Sequence, residues 1–172
     1  MSTAIEKMLF RRSIRKYKPD MVPDEMLDEI ARAGTFAPTG MGKQSPIIIV
    51  VKDKETRDRL SELNAKALGV NNDPFYGAPV VIVVLAERSR PTHIYDGSLV
   101  MGNLLLATHD LGLGSCWIHR AKEVFASLEG KALLKDWGID GDYEGIGHCI
   151  VGYRDGAVPK AIPRKNNYVS YI

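Results

Sequence analysis

The apolar positions of this chain change period several times, and each change marks an element. Near the start, Ile5, Met8 and Leu9 form one helical stripe, and Thr3 with Glu6 has the spacing of a capping box. The helix so predicted frays into extended chain across Arg11, Ser13 and Arg15. Pro23 at a first helical position, the acidic pair Asp24 and Glu25, an apolar face of Met26, Leu27, Ile30 and Ala31, and Gly34 as terminator predict a second helix. Ile47 to Val51 is an unbroken β-branched run bounded by Pro46 and Lys52, and Val80 to Leu85 repeats the signature. Both read as strands covered on both faces. Between them, Asp53 caps a helix that carries Leu60, Leu63 and Ala67 and stops at Gly69.

Pro91 and Thr92 start a long helix that runs to about Leu111. Its Leu99, Met101, Leu104, Leu105, Leu106 and Leu111 wrap most of the circumference, and Gly97 and Gly102 allow close packing. A helix that apolar is central or sits at a subunit interface. Gly112-Leu113-Gly114 then turns the chain into a short strand or extended loop, Ser115 to Ile118. Helical segments follow around Val124 to Leu128 and Ala132 to Trp137, and Ile146 to Tyr153 reads as another strand. The tail ends in alternating Tyr168-Val169-Ser170-Tyr171-Ile172, which has strand character and no local hairpin partner. It must find a distant sheet edge, in its own subunit or in a second one.

At 172 residues and 45% apolar, the chain is expected to fold as one domain over 1–172 with an adequate core. Charge is nearly balanced, 23 basic against 21 acidic residues, so a nucleic-acid-binding surface is not expected. Against that balance, Lys7, Arg11, Arg12, Arg15, Lys16 and Lys18 crowd around Ser13 with Glu6 opposing them. Alternate residues of an extended chain point the same way, so Arg11, Ser13 and Arg15 could converge on one phosphate. A solvated basic helix end is the plainer alternative. The longest apolar stretch, Ala78 to Ala86, is too short to span a bilayer, and the opening residues lack the apolar core of a secretory signal, so the expected location is the cytoplasm. Cys116 and Cys149 lie among apolar neighbours and read as buried thiols.

Several familiar chemistries fail on spacing. The small-residue loop Gly34 to Gln44 invites comparison with a nucleotide phosphate loop, but Ala37 takes the leading glycine position, Gln44 replaces the hydroxyl residue, and the loop follows a helix. It remains a loop where backbone could approach a flat ligand closely. Gly112-Leu113-Gly114 lacks the third glycine of a dinucleotide fingerprint, where Trp117 stands. A zinc site from Cys116, His119, His148 and Cys149 is disfavoured because neighbours in a strand point to opposite faces. No nucleophile elbow is present, and the four histidines are expected at surface or loop positions.

Four elements remain: Arg11-Arg12-Ser13-Ile14-Arg15, the Ala37-Pro38-Thr39 loop ending at Gln44, Gly112 to Ile118, and Pro163-Arg164-Lys165. In this order and spacing they resemble the FMN-dependent nitroreductase family over essentially the whole chain. The resemblance implies an α+β fold, with a mainly antiparallel central sheet flanked by helices. It also implies a homodimer in which a C-terminal extension embraces the partner subunit and FMN lies at the interface. By similarity, Arg11 and Ser13, with Arg164 or Lys165 from the tail, correspond to phosphate ligands, and Arg12 to a flavin-contacting position. Arg15 corresponds to the cation beside flavin N1 and O2, and Asn71 (or Asn72) to an amide near the pyrimidine edge. Pro38, Thr39 and Gly40 would approach the ring from the other subunit, and Trp117, Ile118 and His119 would run beside the dimethylbenzene edge and N5. Met41-Gly42-Lys43 departs from the more polar residues expected in that loop.

The activity this implies is an NAD(P)H-dependent oxidoreductase. Hydride would pass from NADH or NADPH to flavin N5 and then, in ping-pong order, to a nitroaromatic, a quinone or a similar electron acceptor, with no acid or base from the protein. A guanidinium beside N1 would favour the reduced, negatively charged flavin. Few residues separate the Val80 strand from the long helix, so a lid over the substrate face is expected to be reduced. Two alternatives stand beside this reading: a specialised flavin-consuming or dehalogenating relative, and a non-catalytic flavin-binding sensor.

Overall fold

A computed structural model describes residues 3–172 of the chain. In chain order the elements are α1 (Ala4–Phe10), α2 (Asp24–Thr35), a 3₁₀ turn (Gly40–Gly42), β1 (Pro46–Val51), α3 (Lys54–Leu68) and β2 (Val80–Glu87). They continue with α4 (His93–Asp110), β3 (Gly114–Ile118), α5 (Ala121–Ala126), α6 (Leu128–Asp136) and β4 (Tyr143–Gly152). The strands form a four-stranded sheet in the order β1-β2-β4-β3, with every neighbouring pair antiparallel.

Alternation along β2 builds two cores, one on each face of this sheet. Val80, Ile82 and Val84 point toward α2 and α4, where Leu27, Ile30, Met101 and Leu104 close the layer. Val81, Val83 and Leu85 point the other way, onto Leu60, Phe125 and Leu133 from α3, α5 and α6. Every side chain from Val80 to Ala86 is removed from solvent, and each large one contributes about 1.5–3 kcal/mol of hydrophobic stabilisation. The result is an α+β arrangement, with helices on both faces of an antiparallel sheet. Among the described residues, no helix is long and apolar enough to cross a membrane.

Local signals set the helix ends. Thr3 Oγ1 accepts from the Glu6 N–H, and Glu6 Oε2 accepts from the Thr3 N–H at 2.7 Å, so the capping box is formed. Asp53 caps α3 through the Thr56 N–H, and Gly69 ends it in the left-handed conformation.

Four expectations need correction. Gly34 does not terminate α2, which runs on to Thr35; it is buried where the helix meets β1 and α4, and a Cβ there would lie 2.7 Å from Ile48 Cδ1 and 2.8 Å from Leu104 Cδ2. β1 does send side chains into both cores, but it is an edge strand and stays half-buried except at Val51. His148 is neither on the surface nor in a loop, since β4 carries it into the middle of the sheet at 0% exposure. The tail from 156 to 172 forms no strand and is exposed throughout, so the distant edge expected for Tyr168–Ile172 is not on this copy of the chain.

The long helix is central on one side only. Val100, Met101, Leu104 and Leu105 are buried, whereas Tyr95 is 71% and Leu99 48% exposed. Cys149 and His148 face opposite cores, with Cys149 on the α2/α4 side and His148 between Phe75 and Phe125.

Candidate functional site

Past α1 the chain is stitched along the end of the sheet. Ser13 forms a parallel bridge with Ser115 of β3, and the Ile14 N–H donates to the Ser115 carbonyl at 2.9 Å. Further on, Tyr17 bridges Arg154, and Lys18 N–H donates to the Tyr153 carbonyl. Ile14 is turned inward and buried, and Tyr17 Oη donates to its carbonyl at 2.7 Å. In an extended chain this sends Ser13 and Arg15 the other way, with Arg11 on the same side two residues earlier. Burial, ahead of the two nearby thiols, pushes the Tyr17 hydroxyl far above its ordinary range, so it acts as a neutral donor.

The basic residues of this segment have different fates. Arg12 folds back, and its Nη1 donates to the carbonyls of Leu9 and Arg11, both at 2.7 Å, which closes the end of α1. Arg15 is exposed. Arg11 Nη1 is buried without a hydrogen-bond partner. A buried guanidinium nitrogen left open is costly, and an anionic acceptor is the chemistry that satisfies it. The local field agrees: His109, at the end of α4, is held below its ordinary value by burial and then by the charges of Lys7, Arg11 and Arg12.

Alongside this segment, β3 carries Trp117 toward the α4 side and Ile118 toward the α3 side. Trp117 lies over Gly147 of β4, where a Cβ would stand 2.2 Å from the indole Nε1, so nothing larger than glycine fits there. The turn after β3 is clamped from behind: Asn64 Nδ2 donates to the His119 carbonyl at 2.7 Å and lies 3.3 Å from His148 Nδ1. His148 packs 5.2 Å from the Phe75 ring and 6.0 Å from Phe125, and burial pushes it down to about 4. The ring is therefore neutral at ordinary pH, and its Nε2 is buried without a hydrogen-bond partner among the described residues.

Two further loops are held as firmly. The Gly40 N–H donates to Asp96 Oδ1 at 3.0 Å; Asp96, almost fully buried in the first turn of α4, also accepts from Thr92 Oγ1 and Ser45 Oγ. Thr39 Oγ1 accepts from the Gln44 N–H at 3.0 Å, while Pro38 and Met41 stay exposed. Asn71 and Asn72 are exposed on a loop organised by Asp73, which accepts from Arg57 Nη2, Ser61 Oγ and the N–H groups of Phe75 and Gly77. Burial would raise the Asp73 carboxyl, but the donors led by Arg57 hold it below its ordinary value.

The structure thus joins the Arg11–Arg15 segment to Ser115 of β3, the strand that runs on through Trp117 and Ile118 to the turn at His119. It ties Pro38–Gly40 to α4, sets Asn71 on the Asp73 loop, and leaves Arg164 and Lys165 on the exposed tail, where Lys165 Nζ lies 5.3 Å over the Tyr168 ring. Sequence reasoning missed Asn64, Asp73 and Asp96, which hold the loops. A polar residue inside an apolar helical run was the available signal for Asp96.

Known proteins share this arrangement. The family model described as the nitroreductase family matches residues 8–153. A provisionally named NADH dehydrogenase/NAD(P)H nitroreductase of Methanothermobacter thermautotrophicus is 33% identical over 117 residues, covering 66% of this chain and 59% of that protein. FMN reductase (NAD(P)H) of Bacillus subtilis is 32% identical over 137 residues, covering 67% of this chain and 53% of its own. The chain therefore spans little more than half the length of these relatives. In fold, a nitroreductase with bound FMN from Bacteroides fragilis superposes with a TM-score of 0.92 at 24% identity, covering 100% of both chains. The match runs from α1 to the end of β4 and takes in both stretches that meet at the Ser13–Ser115 bridge, so the chain belongs to the nitroreductase family.

Proposed function

We propose that the chain acts as a single domain over 1–172 that pairs with a second copy, binds FMN, and moves electrons from NADH or NADPH to a nitroaromatic, a quinone or a similar acceptor in the cytoplasm. The observation that carries this reading is Arg11 Nη1, buried and unpartnered two residues before the Ser13–Ser115 bridge. The residues present fit the cofactor. Arg11 and Ser13 would hold the phosphate, joined by Arg164 or Lys165 from a tail that makes no strand on its own copy. Arg12 would contribute through its backbone, because its guanidinium is committed to the end of α1. Arg15 would stand at the pyrimidine edge with Asn71, and Trp117, Ile118 and His119 would line the other edge; Pro38, Thr39 and Gly40 would come from the second copy.

When bound, FMN supplies a two-electron carrier between the reduced nucleotide and the acceptor. The chain's share is placement and charge. Arg15 offers a fixed positive charge, Asn64 fixes the His119 carbonyl and hence the turn beside it, and Asp96 fixes the Gly40 backbone. No side chain needs to donate or accept a proton in this scheme. A second copy is supported by apolar surface left uncovered: Ile5, Met8, Leu9 and Phe10 of α1, Tyr95 and Leu99 of α4, and Tyr168, Tyr171 and Ile172 of the tail are all exposed.

Anaerobic mixing of the purified flavin-loaded protein with NADH and with NADPH tests the reading. Rapid loss of the yellow colour is expected with at least one of them; unchanged colour with both, in protein that holds its flavin, contradicts a reductase and favours a flavin binder.

A further inference from the structure

Arg120 has φ +77 and ψ 6, a left-handed conformation that glycine adopts without cost and arginine does not. Its neighbours enforce it. The His119 carbonyl is pinned by Asn64 at 2.7 Å, and Ala121 is buried under α5. Held between them, Arg120 lines a cleft of about 280 Å³ together with Ile94, Trp117, His119, Lys122 and Ile146. Strained positions that the surroundings over-determine tend to carry function.

The charge in this cleft is unevenly committed. Glu144 reaches into it but is matched by Lys122 Nζ at 3.1 Å and by Arg88 Nη1. Arg120 Nη1 lies 3.1 Å from His119 Nδ1, and its carboxylate neighbour, Glu123, is 3.9 Å away and half-exposed, a pairing of little strength. The least committed charge lining the cleft is therefore a guanidinium, set beside an indole and two isoleucines. The space suits one ring and a substituent, and is too small for a dinucleotide.

We propose that this cleft binds single-ring aromatic carboxylates, with the ring against Trp117 and Ile146 and the carboxylate on Arg120. Arg120 is thus a specificity-determining residue for the acceptor. The inference rests on the reading of the chain as a flavin-dependent reductase, which makes the cleft beside Trp117 and His119 the acceptor's place.

The test is calorimetric titration of the flavin-loaded protein, at low ionic strength, with benzoate and with the uncharged benzamide, neither of which is reducible. Benzoate is expected to bind about tenfold tighter than benzamide, as one charge-assisted contact implies. The preference should vanish in Arg120→Gly, which also relieves the backbone and so should unfold no earlier than the parent, and it should survive in part in Arg120→Lys. Equal binding of the two probes, or a preference that persists in Arg120→Gly, overturns the inference. Absorbance of the preparation separates the two levels: yellow protein without charge preference sinks this inference alone, while protein that stays colourless after incubation with FMN contradicts the functional reading and this inference with it.

Discussion

Asn64 Nδ2 donates a 2.7 Å hydrogen bond to the carbonyl of His119, and Asn64 is completely buried. The bond joins α3 to the turn after β3, and the same amide faces His148 Nδ1. Asn64→Leu leaves the His119 carbonyl without its donor and the buried His148 ring without its polar side-chain neighbour. A loss of roughly 1–3 kcal/mol in unfolding free energy is expected, together with weaker FMN retention, because the turn beside Trp117 loses its anchor. Urea unfolding and equilibrium dialysis of FMN measure the two effects. Unchanged values for both would mean that the turn holds its shape without this bond.

Arg15 is the exposed cation on the open side of the segment stitched to β3. If it stands beside the pyrimidine edge, replacing it with a neutral residue withdraws positive charge from the reduced flavin. The midpoint potential of Arg15→Gln is then expected to fall by roughly 30 mV, equivalent to about 1.4 kcal/mol for two electrons. Spectroelectrochemical titration reads this directly. A potential equal to that of the parent protein would remove Arg15 from the flavin ring.

His148 couples stability to pH. Burial lowers it from 6.5 to about 4, so the folded protein binds fewer protons there than the unfolded chain. Its contribution is fully present above pH 6.5 and is lost as pH falls toward 4. Between pH 7 and 4.5 the loss is roughly 2–3 kcal/mol. His148→Met removes this slope and leaves only that of the carboxylates, such as Asp73, which lose their stabilisation at lower pH. Denaturant midpoints of the two proteins across this range should converge as pH falls. Parallel curves would show that His148 does not titrate in this window.

Local features of the fold were legible in the sequence because their causes lie within a few residues. The Thr3–Glu6 box, the Asp53 cap and the Gly69 stop all formed as read. Gly34 was misread because its reason is distant: it is small so that Ile48 and Leu104 can approach it, not because a helix ends there. The half-exposed state of β1 and the burial of His148 follow from strand order, which hydrophobic runs do not encode. The site shows the same division. The Arg11–Arg15 cluster stood out against a balanced charge, whereas Asn64 and Asp96 reach partners 55 and 56 residues away. Nor could any local pattern announce that Arg120 adopts a left-handed backbone, which depends on what holds its neighbours.

The claim at the centre of this account is that Arg11 awaits a phosphate. It is tested most directly by comparing the affinities of the flavin-free protein for FMN and for riboflavin, which lacks the phosphate, in the parent and in Arg11→Ala. The parent is expected to bind FMN at least about a hundredfold tighter, and Arg11→Ala to lose about tenfold or more of that margin, with riboflavin affinity unchanged. Equal affinity of the parent for the two flavins would contradict the account.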